Sequence, residues 1–331
     1  MSTDTDLLRL VEDDDQGAAL ARDVRAGLAA SPRSLPSKWL YDARGSVLFE
    51  EITATPEYYL TRTEAAILER RADEMVRAVA PAELLEIGSG SSRKTRLLLE
   101  AMHRHGTGDA YVPFDVSTDA VEEAAAALVA DYPWLQVRGV VGDFHEHLAA
   151  VPRTGRRLVA CLGSTIGNFP PAQQVELLTD IAGTLADGDV LLLGADLVKG
   201  PEVLEAAYDD AAGVTAAFTM NLVTVLQREL GATIDADALR HTARWNPTEA
   251  RIEIGLEAVE PTVWRFPDLD LEVALRAGEV VRTEVSSKFT RGTLTERLAA
   301  AGLALRTWYT DPDELFAVAL ATRDGHGWAP S

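Results

Sequence analysis

The chain has 331 residues, 47% apolar and 25% charged, enough for one large globular domain or two of ordinary size. Its 31 basic and 52 acidic residues give a formal charge of −21, a field that repels phosphate backbones and anionic headgroups and argues against nucleic acid or a membrane as partner. Cys161 is the single cysteine, so no intramolecular disulfide can form. With no signal-peptide pattern at the start and no apolar run long enough to span a bilayer, a cytoplasmic location is expected.

Residues 1–16 are acidic and read as a disordered tail. A helix is expected over 18–30, where Leu20, Val24 and Leu28 recur every four residues. The rest of segment 17–62 breaks up around Pro32, Pro36, Gly45 and Pro56 yet carries Trp39, Tyr41, Phe49, Tyr58 and Tyr59. It reads as an aromatic loop, either a packed cap or part of a binding surface. Helical spacing returns over 63–79, with Thr61 or Thr63 as N-cap.

From residue 82 short apolar runs alternate with helices. Strands are expected at 84–87, 111–114, 137–141, 158–162 and 190–193, and helices at 93–104, 118–131 and 171–186. Such regular alternation means a parallel sheet with right-handed crossovers. The pattern then changes: helices over 201–230, and several strands over 240–289 bounded by Asn246-Pro247, Pro261, Pro267 and Gly278. A last helix over 292–301 precedes strands near 305–309 and 315–321. The fold class expected is therefore α/β, a doubly wound Rossmann-like sheet over 63–199 completed by 288–323. A smaller α+β domain inserted at 200–287 packs with the 17–62 segment, and 324–331 form a tail.

The chemistry is concentrated at strand ends. Leu84-Leu85-Glu86-Ile87-Gly88-Ser89-Gly90 ends a strand in Gly-x-Gly, in which Gly88 and Gly90 let backbone approach a ligand, with a plain tight turn as the alternative. Arg93 stands where a dinucleotide fingerprint or a P-loop ending in Lys94-Thr95 requires glycine, so neither phosphate site is favoured. Asp115, at the end of the next strand, can accept from ribose hydroxyls or cap a helix. Asp143 and Phe144 after the third strand suit the amino group and face of an adenine. In this order the residues describe an adenosine pocket without a phosphate site, as S-adenosylmethionine requires. After the fourth strand, Gly163-Ser164-Thr165-Ile166-Gly167-Asn168 lies at the switch-point crevice: Gly163 leaves room beside the cofactor, and Asn168 offers a donor and an acceptor. Glu284 and Ser286 share a strand face with Lys288 and could grip a ring with two nitrogens, though on pattern alone an exposed polar face is the better reading. His103/His105 and His145/His147 are spaced so as to diverge on a helix, and no metal is expected. Asp209-Asp210 reads as solvated charge.

Together these segments resemble the L-histidine Nα-methyltransferases of ergothioneine biosynthesis, over about residues 22–321. The resemblance rests on Ser34-Leu35-Pro36-Ser37-Lys38-Trp39-Leu40-Tyr41-Asp42, Pro56-Glu57-Tyr58-Tyr59-Leu60-Thr61-Arg62-Thr63-Glu64, Glu86 to Thr95, Leu162 to Asn168, Tyr208-Asp209-Asp210 and Glu284 to Phe289. It implies trimethylation of the α-amine of free L-histidine, through its mono- and dimethyl forms, to hercynine, with S-adenosylhomocysteine as by-product and the enzyme a monomer. It further implies that Tyr41, Gly88, Lys94, Asp115, Asp143 and Phe144 contact the cofactor. Tyr58, Asn168 and Tyr208 would hold the amine and carboxylate as the catalytic set, and Glu284 with Ser286 would clamp the imidazole. Ile254 stands where a methionine is expected beside that ring. Competing readings are the same fold acting on another amino acid or a protein amine, an NAD-dependent oxidoreductase, and a non-catalytic S-adenosylmethionine sensor.

Overall fold

The computed structural model describes residues 6–10 and 16–325. In chain order the elements are β1 (Asp6–Arg9), α1 (Gln16–Ala29), α2 (Ala43–Ala54), α3 (Leu60–Val79), β2 (Glu83–Ile87), α4 (Thr95–His105), β3 (Ala110–Asp115), α5 (Thr118–Asp131) and β4 (Gln136–Val141). There follow α6 (Phe144–His147), β5 (Arg157–Cys161), α7 (Pro171–Thr184), β6 (Val190–Asp196), α8 (Pro201–Tyr208) and α9 (Val214–Leu230). The remainder is β7 (Leu239–Asn246), β8 (Arg251–Ala258), β9 (Thr262–Phe266), β10 (Leu271–Leu275), β11 (Val280–Ser287), α10 (Arg291–Ala300), β12 (Leu303–Thr310) and β13 (Phe316–Arg323). The chain divides into two compact units, the first holding β1, Leu60–Val198 and the chain from Lys288 onward, the second Lys199–Ser287 with α1, α2 and the segment up to Tyr59.

The first unit is built on an eight-stranded sheet in the order β1-β4-β3-β2-β5-β6-β13-β12. β2 pairs in parallel with β3 on one side and β5 on the other, while β13 runs antiparallel to β6 and β12 to β13. Strands β2, β5 and β6 are buried at every residue, which is why they read as largely apolar runs, although buried Glu83, Glu86, Arg157 and Asp196 lie within them. Leu85, Phe114, Val159 and Leu191 form the core with Leu177 and Ile181 of α7 and Leu298 of α10, each burial contributing about 1.5–3 kcal/mol. Successive crossovers leave β2 toward β3 and return to β5 on its other side, so the loops after β2 and β5 diverge at one edge of the sheet. That divergence is the topological switch point where such sheets bind ligands.

Several expectations are corrected. Asp6–Arg9 are not a tail: they add a parallel strand beside β4, with Leu7 opposite Gly139 and Leu8 opposite Val140. Residues 1–5 and 11–15 of that tail, and 326–331 at the other end, lie outside the described residues. The first unit's α3 starts at Leu60, so Thr61 and Thr63 lie within it and neither caps it.

In the second unit, β11, β8 and β7 form an antiparallel sheet, β9 and β10 a hairpin, and α8 and α9 pack on β7 and β8. The stretch read as an aromatic loop contains a helix, α2, whose N-cap Asp42 accepts from the Gly45 amide at 2.8 Å. Asn221 and Arg228 of α9 donate to the same carboxylate at 2.7 and 2.8 Å, so the cap also fastens α2 to α9. A Cβ on Gly45 would lie 1.7 Å from the Leu40 carbonyl oxygen, which is why the helix tolerates glycine in its first turn.

At the start of β2 and β5, Glu83 and Arg157 form an ion pair at 2.5 Å with side chains 0% and 1% exposed, and Thr154 donates to the second carboxylate oxygen at 2.8 Å. Replacing Arg157 by Met removes the cation and leaves a buried carboxylate. Equilibrium urea unfolding is expected to show a loss of about 3–5 kcal/mol, whereas a loss under about 1 kcal/mol would rank the pair with surface bridges.

Candidate active site

In the first unit the site grows from three strand ends. Gly88 and Gly90 take φ of +68° and +46°, a turn that L side chains resist. The Gly90 amide donates to Asp115 Oδ2 at 3.1 Å, and Ser117 N to Oδ1 at 3.1 Å. The carboxylate at the end of β3 therefore braces the glycine loop as well as the start of α5, whose N-cap is Ser117. Loss of hydration raises the Asp115 pKa, opposed by the Gly90 and Ser117 bonds. Asp143 follows β4 and is half-buried, with its carbonyl accepting the amides of Glu146 and His147. The side chain of Phe144 lies outside the described part of the structure. After β5, Gly163 has φ +72°, and a short helical turn, Thr165–Asn168, carries half-buried Asn168. A Cβ on Gly88 would touch Thr165 Oγ1 at 3.6 Å, so the β2 and β5 loops lie against one another.

This loop set fits S-adenosylmethionine better than a nucleotide diphosphate. It offers a carboxylate where ribose hydroxyls can be accepted, and Ser89 Oγ is buried there without a protein partner. Lys94 does not stand free as a phosphate-binding lysine does; it is paired with the fully buried Glu64 of α3. Sequence reasoning missed Glu64. Its signal was an acid within the apolar stripe Leu60, Ile67 and Leu68.

Beneath the glycine loop, Glu86 is buried on β2 and accepts from Thr95 Oγ1, 2.6 Å from each carboxylate oxygen, and from the Tyr111 hydroxyl. Ser92 Oγ lies 2.7 Å from that hydroxyl and so links the loop to the cluster.

In the second unit, Tyr208 ends α8, and its hydroxyl lies 2.7 Å from Ser286 Oγ on β11. Tyr58 stands edge-on to Tyr208, with ring centroids 6.0 Å apart, and edge-on to Phe49 at 6.2 Å. Tyr41 completes the aromatic run, 5.5 Å from Phe49 and 5.2 Å from Phe218. On β11 a bulge between Arg282 and Glu284 sets the register so that Glu284 faces Ile254 of β8, which faces Ala243 of β7. Cross-strand partners share a face, so Glu284 and buried Ile254 are neighbours, with Ser286 opposite Ile252 on the same side. The expected grouping of Glu284 with Ser286 holds, but Lys288 lies beyond the strand and pairs with Asp196 of β6 at 2.8 Å, both fully buried.

Other local features were not read from sequence. Asp210 is not solvated: it is buried and accepts from Val214 N and Thr215 N at 3.0 and 2.7 Å, capping α9. Burial opposes ionisation there, but the bonds from these amides leave its pKa lowered. His241 Nε2 donates to the Tyr208 carbonyl at 2.8 Å, and its Nδ1 lies 3.0 Å from Thr219 Oγ1. Burial lowers its pKa, so the imidazole acts as a neutral strut behind Tyr208. Among the described residues no cluster has the makings of a metal site.

Burial pushes the Glu86 carboxyl from 4.5 up to about 7, despite the Thr95 and Tyr111 bonds that favour its ionised form. The folded protein thus keeps a proton that the unfolded chain loses first. The corresponding stability is complete below pH 4.5 and lost as pH rises through about 7. Relative to the native chain, Glu86→Gln should gain about 3 kcal/mol in urea unfolding across that window, and parallel stability curves would contradict the assignment.

A family model described as histidine-specific methyltransferase, SAM-dependent, matches residues 20–323. The chain is 52% identical over 310 residues to a histidine N-alpha-methyltransferase of Mycolicibacterium smegmatis, covering 94% of this chain and 97% of that protein. It is 48% identical over 305 residues to a histidine N-alpha-methyltransferase of Mycobacterium tuberculosis, covering 92% and 95% respectively. A 32% identical stretch of 243 residues matches ergothioneine biosynthesis protein 1 of Neurospora crassa, covering 68% of this chain but 28% of that longer protein. With its sheet, its strand-end loops and these relatives in accord, the chain belongs to the family of histidine-specific, S-adenosylmethionine-dependent methyltransferases.

Proposed function

We propose that this protein transfers three methyl groups in succession from S-adenosylmethionine to the α-amine of L-histidine, giving hercynine for ergothioneine biosynthesis. The observation that carries the choice of acceptor is the Tyr208–Ser286 hydrogen bond, with Glu284 two residues along the same strand. A hydroxyl and a carboxylate on one strand face match the two nitrogens of an imidazole, and Tyr208 beside them supports a role in holding the amino acid's amine and carboxylate.

S-adenosylmethionine supplies a methyl already activated on a sulfonium, so the protein's tasks are alignment, removal of water and disposal of a proton. Asp115 takes the ribose hydroxyls, Asp143 and Phe144 the adenine, and Gly88, Gly90 and Gly163 allow close approach, with Lys94 and Tyr41 as further contacts. Asn168, Tyr58 and Tyr208 orient the amine. In each round the nitrogen–carbon bond forms as the carbon–sulfur bond breaks, and the amine's proton leaves to water by way of a tyrosine hydroxyl. The rings of Tyr58 and Tyr208 favour the cation as methyl groups accumulate. This chemistry needs no metal. The reading takes the enzyme to be a cytoplasmic monomer acting on free histidine and its partly methylated forms. Among the described residues no helix is long and apolar enough to cross a membrane.

Ile254 favours one second reading, the same chemistry on another amino acid, because it is buried directly beside Glu284. A panel of free amino acids, scored by S-adenosylhomocysteine release, separates the two: histidine alone should turn over, and preference for another amino acid would move the assignment. In Glu284→Ala, kcat/KM for histidine should fall by about 10³-fold, because an imidazole nitrogen is left unpaired. Unchanged selectivity in that variant would rule out the clamp.

A further inference from the structure

Glu64 occupies a position on α3 where the helix otherwise buries leucine and isoleucine, and its side chain has no exposed surface. Both carboxylate oxygens lie 2.9 Å from the Gly163 amide after β5, and Lys94, after β2, donates to Oε2. Glycines make room for this arrangement. A Cβ on Gly194 of β6 would lie 2.0 Å from Glu64 Oε1, and a Cβ on Gly163 would lie 3.4 Å from Lys94 Nζ. A buried carboxylate is costly unless paired, and an apolar residue would serve packing on α3 better. The niche therefore points to a role beyond packing.

We propose that Glu64 is a positioning residue of the cofactor site: its buried carboxylate holds the Lys94 ammonium and the Gly163 amide in one arrangement, and with them the loops after β2 and β5. The inference rests on the S-adenosylmethionine reading above. Lysine is a flexible point charge, and an ion pair from behind confines it to one place. Asp115 marks the ribose side of the glycine loop, next to β3. Lys94 and Gly163 lie toward β5, so the portion of cofactor they meet is its amino-acid end, where a carboxylate suits the lysine.

Titration calorimetry with S-adenosylhomocysteine tests this without turnover, using the native protein, Glu64→Gln, Lys94→Met and the double variant. Glu64→Gln keeps the shape and an acceptor for the Gly163 amide but removes the charge. Each single variant should weaken binding by about tenfold, and the double variant no further, because both changes dismantle one arrangement. 5′-Methylthioadenosine, which lacks the amino-acid end, should bind the native protein and Glu64→Gln alike, whereas general damage to the fold would weaken both ligands. Multiplying single effects, or native-like S-adenosylhomocysteine binding by Glu64→Gln, would overturn the role of Glu64. Failure of the native protein to bind S-adenosylhomocysteine would instead overturn the cofactor reading. If Glu64→Gln does not fold, Gly194→Ala, which displaces the carboxylate from behind, completes the same cycle with Lys94→Met and is judged by the same outcomes.

Discussion

Parallel pairing of β2 with β3 on one side and β5 on the other is the constraint on which the first unit depends. Parallel strands all end at the same edge, so the turns after β2, β3 and β5 must share that edge however far apart they lie in sequence. Gly88, Asp115 and Gly163 are neighbours for this reason. Once the edge is set, local chemistry fills it: positive φ at the glycines, an Asp115 carboxylate bracing the Gly90 amide, and a Glu64–Lys94 pair reaching in from α3. The second unit solves a different problem with an antiparallel sheet. There a single bulge decides which side chains of β11 stand beside Ile254 and which beside Tyr208.

The overall electrostatics favour a cationic partner, because the chain as a whole carries a charge of −21. A sulfonium gains from such surroundings and a polyphosphate does not. The substitution of Arg93 for the glycine of nucleotide-binding loops points the same way. In the second unit Tyr58, Tyr208, Phe49 and Tyr41 form a run of edge-on aromatic rings.

Much of this was legible in the sequence, for physical reasons that differ by element. Strands β2, β5 and β6 are buried on both faces and announce themselves as largely apolar runs, and the turns after β2 and β5 carry glycine because the backbone takes positive φ there. Helix α2 was not legible: Gly45 near its start reads as a breaker, and only the Leu40 carbonyl packed against it explains the residue. Asp210 read as solvated because capping is invisible until the turn before α9 is drawn. Glu64 read as one charge among many, since its partners come from distant loops. The proposed imidazole clamp rests on family resemblance rather than on periodicity, which alone leaves Glu284 on a solvated face.

The central claim is that the ring is held by Glu284 and Ser286 so that the α-nitrogen, and no other, meets the methyl group. Tandem mass spectrometry of the product formed from S-adenosylmethionine and L-histidine tests it most directly, because fragmentation distinguishes methyl groups on the α-nitrogen from those on the imidazole. The account predicts one, two and finally three methyl groups, all on the α-nitrogen. A methyl on a ring nitrogen, or a reaction that stops at one with histidine in excess of cofactor and again with cofactor in excess, would contradict it.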